Sequence, residues 1–369
     1  GAVGRMAIFA LNIMPYITAS IVIQLLTSVV PRLEQLKKEG ESGRKQINQY
    51  TRYGTVVLAA VQGYGIAIGL EGAQGVVGDP GFYFRASAVI TLVGGTVFLM
   101  WLGEQVTSRG VGNGISLIIF AGIVAELPSA LAGTLELGRQ GALSTFIILA
   151  LIIMVVVVIA FIVFMERAQR RLLVQYPKRQ TAAGMAQGDN SHLPLKLNTA
   201  GVIPPIFASS LLLMPITLAN FSGEASGGAL GTVAALLGRG QPAYMALYAA
   251  GIIFFCFFYT SIVFNPNDTA DNLKRYGGFI PGIRPGPRTA EYIDHVLTRL
   301  TVVGALYLTA VCLLPEMLIN AYNVPFYFGG TSLLIVVNVT MDTVGQVQSH
   351  LLAHQYEGLV KKSRLKGGR

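Results

Sequence analysis

Long apolar segments follow one another from end to end of this chain, and most of its positive charge lies in alternate gaps between them. A helix needs about 20 mostly apolar residues to cross a bilayer. With 53% hydrophobic and only 12% charged residues, the composition is too apolar for a soluble protein of 369 residues. The sequence therefore predicts an all-α polytopic membrane protein. About nine segments qualify as spans, near Ala7–Val30, Thr55–Leu70, Ala86–Leu102, Gly114–Leu131, Leu143–Met165, Leu197–Phe221, Tyr244–Phe264, Leu300–Leu318 and Gly329–Val347.

The distribution of Lys and Arg predicts how these spans are oriented. All but four of the 27 basic residues fall on one side of the alternation, the exceptions being Arg5, Arg85, Arg139 and Arg239. Because cytoplasmic loops carry the excess of basic residues, we expect the basic gaps and the C-terminal tail to be cytoplasmic. Topology and attraction to anionic lipid account for most of the net charge of +9 without nucleic-acid affinity.

An odd number of spans with a cytoplasmic tail places residue 1 outside, yet no segment resembling a signal peptide precedes it. We therefore expect at least one further helix upstream of this sequence. With that helix the number of spans is even, which permits two halves of inverted topology.

The spans contain almost no ionisable side chain near the middle of the membrane. Glu126, Glu316 and Asp342 all lie toward span ends, and Cys256 and Cys312 lie in apolar surroundings without metal-ligand or disulfide spacing. Ion-coupled transporters and intramembrane enzymes need ionisable, nucleophilic or metal-binding groups at that depth. The sequence thus favours a passive channel over a transporter or an enzyme, and predicts no catalytic residue, metal or cofactor.

Pro and Gly mark three places where helices should break. Pro15 interrupts the first span, Pro204 and Pro205 interrupt the sixth, and the run Gly110–Gly114 precedes the fourth. Broken helices at membrane depth must be covered by protein or line a cavity. These three spans are therefore candidates for the wall of a pore.

Pairs of isoleucines accompany two of these breaks. Ile13 and Ile17 are four residues apart, as are Ile115 and Ile119, so each pair occupies one helix face. Such a pair usually belongs to the core or faces lipid. A ring of branched aliphatic side chains, however, would close a pore by excluding water and still yield around a bulky solute.

Six long segments carry a family resemblance that covers nearly the whole chain. They are IFALNIMPYITASIVIQLLT from Ile8, KKEGESGRKQINQYTRYGT from Lys37, FLMWLGEQVTSRGVGNGISLIIFAGIVA from Phe98, HLPLKLNTAGVIPPIFASS from His192, FFCFFYTSIVFNPNDTADNLKRYGGFIPGIRPG from Phe254 and VPFYFGGTSLLIVVNVTMD from Val324. In these segments the sequence resembles the SecY/Sec61-alpha family of protein-conducting channels. The resemblance implies a channel that translocates unfolded secretory polypeptides and releases transmembrane segments sideways into the bacterial cytoplasmic membrane.

The resemblance also implies a domain organisation. The family has ten helices in two pseudo-symmetric, inverted five-helix halves, and this sequence lacks the counterpart of the first helix and of most of the plug. We expect the N-terminal half at residues 1–140, the C-terminal half at 141–349 with large cytoplasmic loops at 166–196 and 265–299, and a cytoplasmic tail at 350–369.

Site residues follow from the resemblance position by position. The lateral gate is expected from the first, second, sixth and seventh spans, with Thr18 and Met214 facing across it and Gln24 on the same helix as Thr18. The pore ring falls on Ile13, Ile17, Ile115, Ile119, Ile206 and Ile335, which include both pairs found by spacing.

The two basic loops resemble docking sites for the ribosome and for the SecA ATPase. Arg284 in GFIPGIRPG matches a functional arginine of the family, although a simple topology charge is the alternative. Relatives often carry extra arginines at the tip of the earlier loop, where this chain reads Thr181–Ala186 and has none. Ribosome contacts in that loop are therefore expected to rest on Arg170, Arg171, Lys178 and Arg179. Other implied partners are the SecE and SecG subunits, signal-sequence-bearing polypeptides and anionic lipid, with ribosomal RNA contacted only through the docked ribosome. The driving energy must come from a partner, since the chain has no nucleotide-binding loop.

Overall fold

The structure, a computed structural model, describes residues 13–72, 78–141, 145–177, 180–181, 184–185, 190–199, 203–209, 212, 242–322 and 330–366. These ranges are predominantly helical. The elements in chain order are α1 (Met14–Val29), α2 (Pro31–Lys38), α3 (Glu41–Gly72), α4 (Phe82–Arg109), α5 (Gly114–Arg139), α6 (Thr145–Arg167), β1 (Gln169–Gln175), β2 (Gln180–Thr181), β3 (Gly184–Met185), β4 (Asn190–Lys196), α7 (helical residues 203–209), α8 (Pro242–Val263), α9 (Pro266–Arg275), α10 (Pro287–Tyr322) and α11 (Gly330–Lys366).

Within the described ranges, five stretches of helix are long and apolar enough to cross a membrane. They are Phe82–Arg109, Gly114–Gly133, Thr145–Arg167, Pro242–Arg275 and Pro287–Leu314. Five of the predicted spans coincide with these stretches wholly or for most of their length, in agreement with a multi-pass membrane protein. The second and ninth predicted spans lie in α3 and α11, which are continuous helices of 32 and 37 residues. Most of the sixth, Leu197–Phe221, lies outside the described residues.

The first predicted span ends at a sharp bend. Met14–Thr27 and Pro31–Lys38 meet at 97°. Val30 is extended, with φ −88° and ψ 120°, because the ring of the following Pro31 disfavours the helical conformation of the residue before it. Pro15 lies in the first turn of α1, where a missing N–H group costs no helical hydrogen bond.

The chain divides into two compact units. The first comprises residues 1–134, 209–244 and 335–369, and the second comprises residues 135–208 and 245–334. In the first unit, α3 packs along α4, and α1 and α2 pack on α3. In the second, β1 pairs antiparallel with β4, and α9 packs on α10. The sequence halves 1–140 and 141–349 expected from the family stay a prediction.

An ion pair ties the loop between α3 and α4 to both helices. Arg85 places Nε 2.8 Å and Nη2 2.7 Å from Oε2 of Glu71, and the Gly81 N–H donates to Oε1 at 3.2 Å. The Arg85 guanidinium also lies 5.9 Å from the ring centroid of Tyr64 on α3. The hydrogen bonds from Arg85, followed by that from Gly81, hold the pKa of the Glu71 carboxyl below its ordinary value of 4.5.

A polar joint lies where α6, the turn after β4, and α10 meet. Oε1 of Glu166 accepts hydrogen bonds from Asn198 Nδ2 at 2.8 Å and from the Tyr307 hydroxyl at 3.3 Å. One helical turn before Tyr307, Gly304 approaches this turn so closely that a Cβ atom would collide with the carbonyl oxygen of Leu197. The absence of a side chain at Gly304 therefore allows α10 to reach the turn.

We predict that Gly304→Ala destabilises the protein by about 1 to 3 kcal/mol, because the added methyl group overpacks the contact with Leu197. The matched control is Gly345→Ala on α11, where a Cβ atom meets nothing within 4 Å. That control should be neutral or stabilising, since alanine favours a helix over glycine by about 1 kcal/mol. Thermal unfolding of both variants in detergent measures the difference, and equal stabilities would contradict the close approach.

We also predict that Glu71→Gln lowers the melting temperature at about pH 7, and that this difference shrinks as the pH falls below 4.5, the ordinary pKa of the carboxyl. The folded-state pKa of Glu71 is depressed, so its stabilisation is present above the unfolded pKa and is lost as the pH falls through the folded pKa. Asp79→Asn, which neutralises an exposed carboxylate in the same loop, is the control. Parallel pH profiles for Glu71→Gln and the wild type would show that the pair contributes nothing.

Candidate functional site

The first pair of predicted ring residues lies at the start of α1. Ile13 is fully buried and Ile17 is 6% exposed. The Ile17 N–H donates to the Ile13 carbonyl at 3.2 Å, so the two residues are one turn apart, as their spacing predicts.

The glycine run between α4 and α5 positions the second pair, Ile115 and Ile119. Gly112 adopts φ +85°, a left-handed conformation that favours glycine. Asn113 Oδ1 accepts a hydrogen bond from the Ile115 N–H at 3.2 Å, and the Gly114 N–H donates to Thr107 Oγ1 at 2.8 Å. Both isoleucines are partly buried. This turn thus starts α5 with Ile115 as its second residue.

A hydrogen bond links this turn to α11, the helix that carries Ile335. The Gly112 N–H donates to Oε1 of Gln346 at 2.6 Å. Ile335 lies on the same helix, about 16 Å away along its axis at 1.5 Å per residue, and is 6% exposed. Sequence analysis did not identify Gln346, because a polar residue at the end of a span usually faces water or headgroups.

The last predicted ring residue, Ile206, belongs to α7 in the second unit, whereas the other five belong to the first unit. Pro204 and Pro205, predicted to break the sixth span, are buried near the start of α7. Ile206 is partly buried, while the next residues, Phe207 and Ala208, are 5% and 2% exposed.

The predicted gate residues have different environments. Thr18 is 3% exposed and its hydroxyl donates to the Met14 carbonyl at 3.1 Å, so it is satisfied within its own helix. Gln24 Oε1 is buried and accepts no hydrogen bond from any described residue. Met214 lies outside the described residues.

A hydrophobic cluster supports the predicted docking loops. We call it the loop cluster, and its buried members are Leu172, Val174, Leu195, Ile280, Ile293, Val296 and Leu300. The alternation of buried and exposed residues along β1 and β4 gives the hairpin one face toward this cluster. Gln175 and Phe279 exchange two backbone hydrogen bonds of 2.8 Å and 3.0 Å, which fasten the hairpin to the loop that follows α9. Neither the hairpin nor the cluster was predicted from sequence.

Arg284 projects from this supported loop. Ile283 packs against the loop cluster, and Gly282 and Gly286 adopt φ values of +82° and +110° on either side of Arg284. The Arg284 carbonyl accepts a hydrogen bond from Thr289 Oγ1 at 2.7 Å, which links the loop to the first turn of α10. The backbone of Arg284 is therefore fixed while its side chain is exposed.

The structure places Arg170 and Arg171 on the same body as Arg284. Both lie in β1 opposite Leu195 and Pro194 of β4, and both are exposed. Lys178 and Arg179 lie outside the described residues. Among the described residues, no group of three His, Cys, Asp or Glu side chains could hold a metal ion.

Comparison with known proteins identifies the family. A family model described as SecY matches residues 7–344. The protein translocase subunit SecY of Pseudomonas aeruginosa is 60% identical over all of this chain, which covers 83% of it. The subunit of the same name from Escherichia coli K12 is 59% identical, with 84% of its length covered.

Solved structures agree on the fold. A protein-conducting channel structure has a TM-score of 0.69 and 20% sequence identity, with 93% of this chain and 81% of that chain covered. Sec61 in a canine ribosome-channel complex has a TM-score of 0.65 and 19% identity, with 93% and 81% covered. At these identities the likeness concerns the fold alone, whereas the sequence match spans nearly all of the chain. The chain belongs to the SecY family.

Proposed function

We propose that this chain is the channel subunit of a bacterial protein translocase, which moves unfolded polypeptides across the cytoplasmic membrane and releases transmembrane segments into it. The observation that carries the proposal is the match to translocase subunits at 59–60% identity over the whole chain. A non-enzymatic role agrees with the scarcity of ionisable groups inside the spans.

The pore ring is the proposed seal of the resting channel. Its six members are Ile13, Ile17, Ile115, Ile119, Ile206 and Ile335, all branched aliphatic residues. Three of them lie in helices that begin at a proline or glycine break and a fourth, Ile13, immediately precedes one, as expected where broken helices line a cavity. Water leaves a narrow aliphatic constriction, so such a ring blocks ions without a rigid plug of its own.

The lateral gate is proposed to open between α1 and α3 on one side and α7 and α8 on the other. Thr18, Gln24 and Met214 are its proposed polar and apolar contact residues. The amide oxygen of Gln24 is buried without a hydrogen-bond donor among the described residues. An unsatisfied buried acceptor of this kind costs about 1 to 3 kcal/mol. A gate with this feature is held less tightly than a fully apolar helix interface, which favours opening for a signal sequence.

The loop cluster and the arginines on it form the proposed docking surface for the ribosome and for SecA. Canine Sec61 and yeast Ssh1 have been solved in complexes with ribosomes. For this chain, ribosome docking is supported by the exposed Arg284, Arg170 and Arg171 on one supported body. Arginine suits phosphate-rich and carboxylate-rich partners, because its planar group donates two parallel hydrogen bonds.

Topology and subunit composition complete the proposal. The basic loops and the end of α11 are proposed to lie in the cytoplasm, and the excess of Lys and Arg in these segments supports this orientation. SecE and SecG are the proposed companion subunits, and anionic lipid headgroups are the proposed neighbours of the basic loops.

We predict that Ile206→Asn or Ile335→Asn increases the ion leak of the resting channel and lets polypeptides with defective signal sequences pass. An amide in the ring holds water where an isoleucine excludes it. Conductance of the reconstituted complex measures the ion leak, and transport of a reporter protein with a defective signal sequence measures the loss of stringency. Ile206→Val should behave as the wild type, and unchanged leak and stringency in both Asn variants would contradict the ring.

We predict that Arg284→Glu weakens ribosome binding and SecA-driven transport by at least about tenfold, equivalent to 1.4 kcal/mol. The matched control is Arg288→Glu, which reverses an exposed charge of the same loop region four residues away. Co-sedimentation with ribosomes and ATP-dependent transport are the measurements. If both variants lose the same affinity, Arg284 is only one of several topology charges.

A further inference from the structure

We propose that the position of Ile206 is set by α8, and that Phe207, Phe255 and Gly251 are positioning residues for the pore ring. This inference rests on the proposed function, because it assumes that Ile206 belongs to the ring. Its basis is the packing of α7 against α8 within the second unit.

Aromatic contacts hold one face of α7. The ring of Phe207 is 5.6 Å from that of Phe255 at 88° and 6.2 Å from that of Tyr259 at 88°. Edge-to-face pairs of this kind are a favoured arrangement of aromatic rings. Phe207 and Phe255 are 5% and 3% exposed, so the contact is shielded from lipid and water.

A contact between small residues lies beside the aromatic one. A Cβ atom on Gly251 would be 3.1 Å from the Cβ atom of Ala208, tighter than ordinary van der Waals contact. Gly251, Phe255 and Tyr259 are each four residues apart and therefore share one face of α8. That face contacts two successive residues of α7, Phe207 and Ala208, and so restrains both the rotation of α7 and its sliding along α8.

The neighbour of these two residues is Ile206. Successive residues of a helix are rotated by about 100°, so fixing Phe207 and Ala208 against α8 also fixes the direction of Ile206. Most of the stability of a helix in a protein comes from tertiary packing. The placement of Ile206 therefore depends on tertiary contacts, of which those with α8 are specific and buried.

The test uses the reconstituted channel complex and two alterations of α8, neither in the ring itself. Phe255→Ala deletes the aromatic partner of Phe207, and Gly251→Ala inserts a methyl group against Ala208 without deleting any contact. Both should raise ion leak and transport of a reporter with a defective signal at least about fivefold, equivalent to a destabilisation of the closed state by about 1 kcal/mol or more. Transport of a reporter with an intact signal, which reports folding and assembly, should stay within about twofold of the wild type.

Two further variants separate positioning from general destabilisation. Phe257→Ala removes the same ring from the same helix, but Phe257 lies about 200° around the axis from Phe255 and is 37% exposed. It should leave leak and stringency unchanged. Phe255→Tyr keeps an aromatic ring at this position and should retain the wild-type behaviour, because Phe207 already packs against a tyrosine at position 259.

The outcomes are distinguishable from those for the proposed function. Ile206→Asn is measured in parallel, and if it leaves leak and stringency unchanged, both the ring assignment and this inference fail. If Ile206→Asn loosens the channel while Phe255→Ala and Gly251→Ala behave like Phe257→Ala, the ring stands and positioning by α8 is overturned. If Phe255→Ala abolishes assembly, the result for Gly251→Ala decides by the same criteria.

Discussion

The requirement that every backbone polar group in lipid be hydrogen bonded determines the architecture of this protein. Continuous helices meet it within a single segment, which explains why the chain is a succession of apolar helices. A helix can begin or break inside the membrane only where other groups satisfy or shield its backbone. The turn between the spans α4 and α5 is likewise held by specific side chains, because Gln346 Oε1 accepts a hydrogen bond from the Gly112 N–H and Asn113 Oδ1 accepts one from the Ile115 N–H. The breaks are thus stabilised features of the fold, and they carry isoleucines proposed to seal the pore.

The sequence predicted these features unevenly. Apolar length and charge alternation sufficed for the spans, because both follow from the bilayer alone. Pro and Gly gave the positions of the breaks, and residues 110–114 do form the turn before α5. The hairpin of β1 and β4 was missed, because residues such as Leu172 and Val174 alternate over a short, basic segment that hydropathy treats as a loop. Register in such a segment is set by its contacts with α10 and with the loop at Phe279, which are distant in sequence.

The supporting side chains were the least predictable part of the site. Glu166, Asn198 and Tyr307 form one hydrogen-bonded joint although they are separated by up to 141 positions in the chain. Glu166 and Asn198 are unremarkable alone, since a polar residue near the end of a span is usually explained by the membrane interface, and Tyr307 is one aromatic residue within an apolar span. These hydrogen bonds accompany the close approach of Gly304 to the backbone of Leu197. The sequence contains many glycines, and nothing in it singles out Gly304 as the one that makes this contact.

The proposed docking surface and the proposed pore ring differ in how precisely their side chains must be positioned. The arginines proposed for docking can be exposed and long because charge acts over several ångströms, about 10 Å at moderate salt. The proposed ring residues would act by excluding water, which depends on the width of the constriction and so on the direction of each side chain. Arg284 therefore needs only a fixed backbone, supplied by Ile283 and Thr289. Ile206 needs a fixed side chain, and the buried contacts of Phe207 and Ala208 with α8 supply that additional restraint.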